Sequence, residues 1–432
     1  MKRVTMFVWN HFTNDARVMR ESSTLSENGY DVSLIAIEDK KDTRASKLQK
    51  INDHFRVHRV RMYPWFLELY QSNKKNFILS AAVLTVLIMP LMLYKSWMIL
   101  FVYFLILAAS LMSLKNSKIR QNLIKLIRSG RMIFEGYRQK ADIYHSNDLN
   151  TLTQGVICSK IRLKPRKLIY DSHEVQTDRT GYNRKFVKFW ERSLLRFVDE
   201  TIVENHTRAA HHYKLYGVYP STLYNYSAYY DVEKRVSLDL KKTLGLPPDE
   251  KVLLYQGGLQ AGRGLENLIE MMHRVEEGTL VFIGDGKLKK LLMRQVIEEN
   301  LGHKVKFFPK VHMDILPSYT KDAYLGFQVL QNTSFNHYSA SSNKLFEYIM
   351  AHVPIVSCDF PEIKSIVEGE QVGISLDASN VDELAKVVNI LVKDEILRNR
   401  YSENCRSAKM KYNWDNEQEK LLVIYDNIDA SK

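Results

Sequence analysis

The chain has 432 residues and a formal net charge of +13; 45% of its residues are hydrophobic and 26% are charged. At roughly 100–200 residues per domain, this length predicts two or three domains, with enough apolar material for large cores. The three cysteines, Cys158, Cys358 and Cys405, are scattered without metal-ligand spacing. Their pattern argues against a disulfide framework and favours a reducing compartment.

The first elements predict a parallel strand–helix–strand unit. Val4–Trp9 is a short apolar run typical of a buried strand, too short for the hydrophobic region of a secretory signal. A polar loop over Asn10–Asn14 leads into a helical pattern that stops at Asn28–Gly29. Asp31–Glu38 is the second strand. Short connections of this kind join strands of a right-handed parallel unit.

Two uncharged apolar segments, Phe77–Tyr94 and Trp97–Leu114, then interrupt the alternation. As helices, each would be about 27 Å long, close to the ~30 Å thickness of a bilayer's hydrocarbon core. Basic residues on both flanks favour the cytoplasmic side. We therefore predict a hydrophobic helical hairpin over residues 77–114 that spans or enters the membrane. A buried helical pair at a protein interface is the alternative.

The segment after this pair is strongly basic. Residues 115–140 contain eight Lys or Arg residues and one acid, Glu135. Ile119, Leu123 and Leu126 recur among these charges at helical spacing, which predicts a basic amphipathic helix on an anionic leaflet. Lipid is therefore a better partner for this charge than nucleic acid.

The strand and helix alternation resumes after the basic segment. Strand patterns of the first block lie at Asp142–His145, Lys167–Tyr170 and Thr201–Val203. A polar link over Ala228–Pro248 precedes a second block, with strand patterns at Val252–Gln256, Thr279–Ile283, Val305–Phe308, Leu325–Leu330 and Ile355–Ser357. Each block predicts a doubly wound parallel sheet, in which ligands bind at the carboxyl ends of the strands.

A glycine-rich loop after Val252–Gln256 is the first candidate anion site. Gly257–Gly258 end the strand, and Gly262-Arg263-Gly264 opens a helix. Glycines let backbone amides approach an anion, and Arg263 offers a fixed fork of donors. A tight turn with a solvated arginine is the alternative. The loop is not a P-loop, because no Gly-Lys-Ser/Thr follows.

The helix pattern after Ser342 is the second candidate. Lys344 and Glu347 lie in its first turn, where Lys344 can neutralise a diphosphate and Glu347 can accept hydrogen bonds from ribose hydroxyls. A capped helix with a surface salt pair is the alternative.

Two weaker candidates stand at strand ends. Gly284-Asp285-Gly286 is most simply a tight connection. His173, in Tyr170-Asp-Ser-His-Glu174, is able to bond a sugar hydroxyl or handle a proton, or is structural.

Together, these segments resemble the family-4 retaining glycosyltransferases with the GT-B fold, of the membrane-associated bacterial polysaccharide type. The matching segments are Asn14–Glu21, Asn28–Val32, Tyr170–Glu174, Gln256–Glu266, Ile283–Gly286 and Asn343–Pro354. The resemblance implies two doubly wound Rossmann-like domains facing a cleft, with residues 77–114 inserted in the first. Residues 1–230 would bind the acceptor and residues 231–410 the nucleotide-sugar. Residues 411–432 would form a helix that packs back on the first domain.

The resemblance also implies roles for single residues. The catalytic set would be His173 near the reacting sugar, with Arg263 and Lys344 neutralising the diphosphate. The donor-binding residues would be Gly257, Gly258, Arg263, Gly284, Asn343, Lys344, Leu345 and Glu347, of which Glu347 holds the ribose. The acceptor-binding residues would be Asn10, Asn14 and Asp15. We expect no cofactor and no obligatory metal, because no Asp-x-Asp motif stands in a suitable place.

The implied activity is that of a hexosyl- or N-acetylhexosaminyl-transferase. It would move a sugar, with retention, from a nucleoside diphosphate-sugar to a lipid-linked saccharide in surface polysaccharide or glycolipid synthesis. We expect the chain at the cytoplasmic face of a bacterial cell membrane. Its partners would include anionic lipid and other polysaccharide-assembly enzymes, but no nucleic acid.

Two positions depart from the family pattern. Ser339 stands where the first glutamate of the family's Glu-x7-Glu pair would fall, and Gly258 stands where many relatives carry an arginine. They motivate a catalytically inactive, transferase-like membrane scaffold as an alternative. A nucleotide-sugar epimerase of similar fold is a third possibility.

Overall fold

A computed structural model of the chain describes residues 1–13, 15–39, 46–95, 97–98, 101–105, 116–179, 181 and 183–430. Strands and helices alternate along it and form two sheets. The strands are β1 (Lys2–Phe7), β2 (Tyr30–Ile37), β3 (Leu48–Asn52), β4 (Phe55–Val60), β5 (Ile143–Asn147), β6 (Lys167–Ser172), β7 (Glu200–Val203), β8 (Ser221–Thr222), β9 (Val252–Gln256), β10 (Thr279–Ile283), β11 (Val305–Phe308), β12 (Leu325–Gln328), β13 (Ile355–Cys358) and β14 (Gly373–Leu376).

The helices between them differ widely in length. Those of the first 222 residues are α1 (Ala16–Glu27), α2 (Trp65–Ser72), α3 (Lys74–Lys95), α4 (Ser117–Arg138), α5 (Leu149–Lys160), α6 (Arg184–Leu195) and α7 (His206–Tyr216), with a 3₁₀ turn at Gln176–Asp178. Those of the remainder are α8 (Leu240–Leu244), α9 (Leu265–Met271), α10 (Lys289–Glu298), α11 (Leu316–Thr320), α12 (Phe335–Tyr338), α13 (Asn343–Met350), α14 (Pro361–Gly369), α15 (Val381–Lys393), α16 (Glu395–Ala408) and α17 (Trp414–Ala430).

Both sheets have the crossed strand order of parallel α/β folds. The first has the order β3-β4-β2-β1-β5-β6-β7-β8, and the second has the order β11-β10-β9-β12-β13-β14. All pairs of the second sheet are parallel. In the first sheet, β1 pairs in parallel with β2 and β5, whereas β3 pairs antiparallel with β4. The predicted α/β class with two largely parallel sheets is confirmed, although the sequence analysis missed β3, β4 and β14.

The chain divides into two compact units. The first comprises residues 1–15, 22–170 and 197–199, and the second comprises residues 16–21, 171–196 and 200–432. In the second unit, β9 and β10 are buried along their whole length. Such near-continuous apolar strands are typical of a parallel sheet covered on both faces. Their burial leaves the loops at their carboxyl ends as the places where polar groups can meet a ligand.

The last helix, α17, lies in the second unit. Glu417 accepts a hydrogen bond from the Tyr224 N–H group at 2.9 Å, and the Trp414 N–H group donates to the Ser227 carbonyl at 2.9 Å. The predicted domain boundaries at residues 230 and 410 stay predictions.

The predicted hairpin over residues 77–114 is not seen among the described residues. Its first half is the single helix α3, which contains Pro90, whereas residues 99, 100 and 106–114 of its second half lie outside the described residues. Within the described ranges, no helix combines the length and the apolar character needed to cross a bilayer. Two adjacent apolar segments predicted two helices, but hydropathy alone does not determine how such helices pair.

The basic segment after it forms α4, as predicted. Its start is capped by Asn116, whose side chain accepts hydrogen bonds from the Lys118 and Ile119 N–H groups. One face, with Ile124 and Met132, is buried in the first unit. α4 is therefore anchored through its apolar face, with Lys118, Lys125 and Arg138 exposed and its other charged side chains partly buried.

Candidate functional site

Two glycine loops lie against each other at the carboxyl ends of β9 and β10. The strands pair in register up to Gln256 and Ile283, so the loops that follow leave the sheet side by side. The Gly257 N–H group donates to the Ile283 carbonyl at 2.9 Å. A Cβ on Gly284 would lie 1.9 Å from the Gly257 carbonyl oxygen, so no larger residue fits there without movement. The loop at Gly284, a weak candidate for an anion site in the sequence, thus packs directly against the stronger candidate at Gly257.

Lys344 places a buried ammonium group beside this glycine pair. Its side chain is 4% exposed, and its Nζ donates to the Tyr255 hydroxyl at 3.2 Å and lies 4.4 Å above the Tyr255 ring. A Cβ on Gly257 would lie 3.6 Å from the Lys344 Cε. Burial lowers the pKa of Lys344. A buried cation of this kind gains from a nearby anion.

Arg263 adds a second cation to the same region. It is partly exposed and has no hydrogen bond or ion pair with the described residues. Burial lowers the pKa of His337, and the charge of Arg263 lowers it further. The Arg263 charge also opposes protonation of Lys344. The two cations therefore interact electrostatically. Neither forms an ion pair within the described part of the chain.

Glu347 is held at the end of β9 by a side-chain relay. The Gln256 amide donates to the Glu347 carboxylate, and the Thr320 hydroxyl donates to the Gln256 side-chain oxygen at 2.8 Å. Burial raises the pKa of Glu347. The carboxylate is thus oriented as an acceptor for hydroxyl donors. Sequence reasoning missed Thr320, because only the sheet brings α11 to this strand end.

Asn343 and Leu345, the neighbours of Lys344 on α13, differ in how far their side chains are exposed. Asn343 is exposed, and its side-chain oxygen accepts a hydrogen bond from the Asn225 amide at 2.6 Å. Leu345 is fully buried in the core of the second unit. Of Leu345, only the backbone is available to a ligand.

His173 is fixed by a buried ion network at the end of β6. Its Nε2 lies 3.2 Å from Asp171 Oδ2, and Arg17 donates to both Asp171 oxygens, from Nε at 2.9 Å and Nη2 at 3.0 Å. Arg17 also pairs with Glu21 at 2.9 Å. Burial raises the pKa of Glu21 to about 8. Arg17 and Glu21 belong to the matching segment Asn14–Glu21, but nothing in their spacing pointed to Asp171.

Arg208 is the main residue that sequence reasoning missed. Its Nε donates to the Ser339 hydroxyl at 3.2 Å, and Nη2 donates to the Asn336 carbonyl at 3.3 Å. Its Nη1 donates to the His173 carbonyl. Arg208 thereby joins the His173 strand end to the segment that carries Ser339, the position of the expected first glutamate. No motif signalled this contact, because α7 and residues 336–339 are distant in the sequence.

The predicted acceptor residues belong to the first unit. The Asn10 amide donates to the Asp15 carboxylate at 2.7 Å, and the Asn10 side-chain oxygen accepts from the Phe12 N–H group at 2.8 Å. Asn14 lies outside the described residues. Asn10 is exposed, so these groups form a small polar turn after β1.

Sequence comparison places a known family signature over the second sheet. Residues 237–408 match the family model of glycosyl transferases group 1. An uncharacterized glycosyltransferase of Methanocaldococcus jannaschii is 27% identical over 192 residues, which are 44% of this chain and 48% of that protein. WcaI of Escherichia coli, named as a colanic acid biosynthesis glycosyl transferase, is 34% identical over 84 residues, 19% of this chain and 20% of that protein. The chain matches about half the length of its curated relatives or less.

Structural comparison extends over the whole chain. The Anabaena protein HepE, crystallised with UDP-glucose, superposes with a TM-score of 0.69 and 13% identity. The match covers 99% of this chain and 100% of HepE. The likeness shows that the fold is GT-B-like, with two parallel sheets.

The glycine contact predicts a clear difference between two alanine variants. Gly284→Ala should lower the free energy of unfolding by about 1–3 kcal/mol, because its Cβ clashes with the Gly257 carbonyl. Gly258→Ala is the matched control, since a Cβ there would meet only Gln260 Cγ, at 3.6 Å. Urea unfolding followed by circular dichroism measures both. Equal stability of the two variants would contradict the packing described above.

Proposed function

We propose that this chain is a glycosyltransferase that takes its sugar from a nucleoside diphosphate-sugar. The observation that carries the proposal is the buried Lys344 ammonium beside the packed glycine loops, together with the positive charge of Arg263, which lowers the pKa of Lys344. Both lie within residues 237–408, which match the group 1 glycosyl transferase model. HepE, which shares the fold, was crystallised with UDP-glucose, and this supports a donor of the same class.

The proposed reaction uses these cations at the leaving group. The acceptor hydroxyl oxygen bonds to the anomeric carbon as the bond from that carbon to the β-phosphate oxygen breaks. The hydroxyl proton passes to a phosphate oxygen, and the nucleoside diphosphate leaves. Arg263, Lys344 and the backbone amides after Gly257 stabilise the negative charge that develops there. No obligatory metal is needed in this scheme.

Other residues of the second unit complete the donor site. Glu347, oriented by Gln256, accepts hydrogen bonds from the ribose hydroxyls. Asn343 and the backbone of Leu345 lie on the same helix as Lys344. His173 contacts the transferred hexosyl or N-acetylhexosaminyl unit, and the reaction proceeds with retention, as in the family-4 enzymes that the sequence resembles.

The proposed acceptor is a lipid-linked saccharide for a surface polysaccharide or glycolipid. Asn10, Asn14 and Asp15 would contact it. WcaI, which matches part of this chain, is named for colanic acid biosynthesis, and this supports a polysaccharide product. Other enzymes of polysaccharide assembly are the expected protein partners.

Membrane attachment at the cytoplasmic face of a bacterial cell is part of the proposal. The support is a set of exposed apolar side chains next to a basic helix. They are Ile78, Leu79, Val83, Val86, Leu87, Trp97, Met98, Phe101 and Leu105, followed by Ile119, Leu126 and Phe134 on α4. Exposed apolar and basic groups together suit an anionic bilayer surface.

Loss of either cation should weaken donor binding. Arg263→Ala and Lys344→Ala should each reduce UDP affinity roughly 10–100-fold, because each removes a charged hydrogen bond worth about 1.5–3 kcal/mol. Isothermal titration calorimetry with UDP measures the change. Arg274→Ala is the control, since Arg274 is an exposed arginine paired with Asp382. The site assignment fails if all three variants bind UDP like the parent protein.

Product analysis separates the proposed reaction from its alternatives. Membranes that contain the parent protein, a panel of nucleotide-sugars and native lipid extract should yield a glycosylated lipid by mass spectrometry. A scaffold would bind donor and give no product. An epimerase would convert the donor without any acceptor.

UDP affinity should also depend on pH through Lys344. Burial lowers the pKa of this ammonium group below the ordinary lysine value of about 10.4, and a bound diphosphate favours its charged form. Affinity should therefore be highest below the lowered pKa and fall as pH rises through it. Titrations between pH 8 and pH 10 check this, because phosphate groups are already ionised there. Lys344→Arg stays charged over this range and should lose less UDP affinity than the parent protein, because ionisation of the uracil N3–H group affects both proteins alike. An equal decline in both proteins would contradict the prediction.

Vesicle flotation tests the membrane part of the proposal. Replacing Leu79, Val86 and Leu87 with serine should reduce co-flotation with phosphatidylglycerol-containing vesicles several-fold, because exposed apolar area is lost. The control replaces Ile297 and Ile396 with serine, two exposed apolar residues elsewhere. If the triple variant floats with the vesicles as well as the parent protein does, α3 is not part of the attachment surface.

A further inference from the structure

Helix α6 presents a row of large aromatic side chains to solvent. Phe186, Phe189 and Trp190 are 62%, 67% and 39% exposed. They are spaced i, i+3, i+4, so they form one stripe on the helix. The rings of Phe186 and Trp190 stack, with centroids 6.4 Å apart and planes at 8°. Three exposed aromatics within five residues form an unusual surface for a protein in water.

Cations border this aromatic stripe. Lys185, Lys188, Arg192 and Arg196 follow at intervals of three or four residues, which places them along one side of the stripe. The opposite face of the helix is the buried one, with Val187, Glu191 and Leu194. The exposed surface of α6 is thus divided into an aromatic half and a basic half.

No exposed carboxylate of α6 offsets these charges. The one acid of the helix, Glu191, is buried and accepts a hydrogen bond from the Tyr216 hydroxyl at 2.6 Å. This bond, together with the Arg192 bond to the Leu215 carbonyl at 3.1 Å, ties α6 to α7. The end of α7 adds exposed Tyr213 and Lys214.

We propose that this surface, formed by α6 and the end of α7, binds the headgroup region of an anionic bilayer. Trp is enriched at the membrane–water interface, Phe is common on the apolar face of helices that lie in it, and Lys and Arg pair with anionic headgroups. An amphipathic helix with aromatics on one side and cations on the other lies in the plane of that interface. The positive charge complements the negative surface of such a membrane.

A bilayer fits this composition better than a protein partner does. Protein interfaces are depleted in lysine at their centres, whereas Lys185 and Lys188 directly adjoin the aromatic stripe. The surface also contains none of residues 77–138, so it is distinct from the apolar and basic segment described above. It rests on the α6 geometry and does not depend on transferase activity.

A probe that reports local burial tests the proposal in the full-length chain. Phe189→Cys is labelled with the fluorophore NBD, which the three native cysteines do not compete for because all are buried. The labelled protein is mixed with vesicles of phosphatidylcholine and phosphatidylglycerol at 7:3, or of phosphatidylcholine alone. Ile297→Cys, at an exposed position of α10, is the labelled control.

The expected result is a blue shift and a roughly twofold or larger rise in emission at position 189 with the anionic vesicles only, with no change at position 297. Adding Lys185→Glu and Lys188→Glu to the Phe189→Cys protein should reduce this response. No response at position 189, or equal responses at 189 and 297, would overturn the proposal. A blue shift without vesicles that grows with protein concentration would also overturn the proposal, because it would indicate that a second copy of the chain covers the surface. A blue shift with RNA but not with vesicles would overturn it as well. UDP titration of the same labelled protein reports separately on the donor site.

Discussion

The close packing of two glycine loops is the constraint on which the candidate site depends. β9 and β10 run in parallel register to Gln256 and Ile283, so their loops emerge together. The backbone at Gly284 then lies so near the Gly257 carbonyl that a side chain is excluded. The room beside Gly257 is filled by the Lys344 chain. The cation is therefore placed by backbone packing and by its hydrogen bond to Tyr255.

Two buried cations of the second unit, Arg17 and Lys344, have opposite kinds of surroundings. At the end of β6, Arg17 and Asp171 are buried and matched by a bidentate pair, which satisfies both ions. Beside Gly257, the buried Lys344 ammonium donates to the Tyr255 hydroxyl and forms no ion pair within the described part of the chain, and burial lowers its pKa. A matched pair stabilises structure, whereas a buried cation without a carboxylate favours an arriving anion. This contrast, more than the glycine pattern, distinguishes the candidate site from the ion network at the end of β6.

Arg208 gives this chain its own arrangement around Ser339. The family pattern leads one to expect a carboxylate at that position, but the serine hydroxyl instead accepts a hydrogen bond from Arg208 and donates to the Phe335 carbonyl at 2.7 Å. The same guanidinium holds the His173 carbonyl. The loss of one acidic group is thus accompanied by a cross-link that orders the neighbouring loop.

Local patterns in the sequence determined most of the parallel strands, the glycine turns after β9 and β10, and the position of Lys344 in the first turn of α13, with Glu347 one turn later on the same helix. These features depend on side-chain period and turn chemistry over a few residues, so they can be read without a structure. Only the tertiary structure decided that Arg208 meets Ser339, that Thr320 orients Gln256, and that the aromatics of α6 stay exposed. Such contacts depend on which strands become neighbours in a sheet, and strand order is not encoded in any short segment. The apolar run at residues 77–114 marks the same limit, because hydropathy indicates a helix but not its partner.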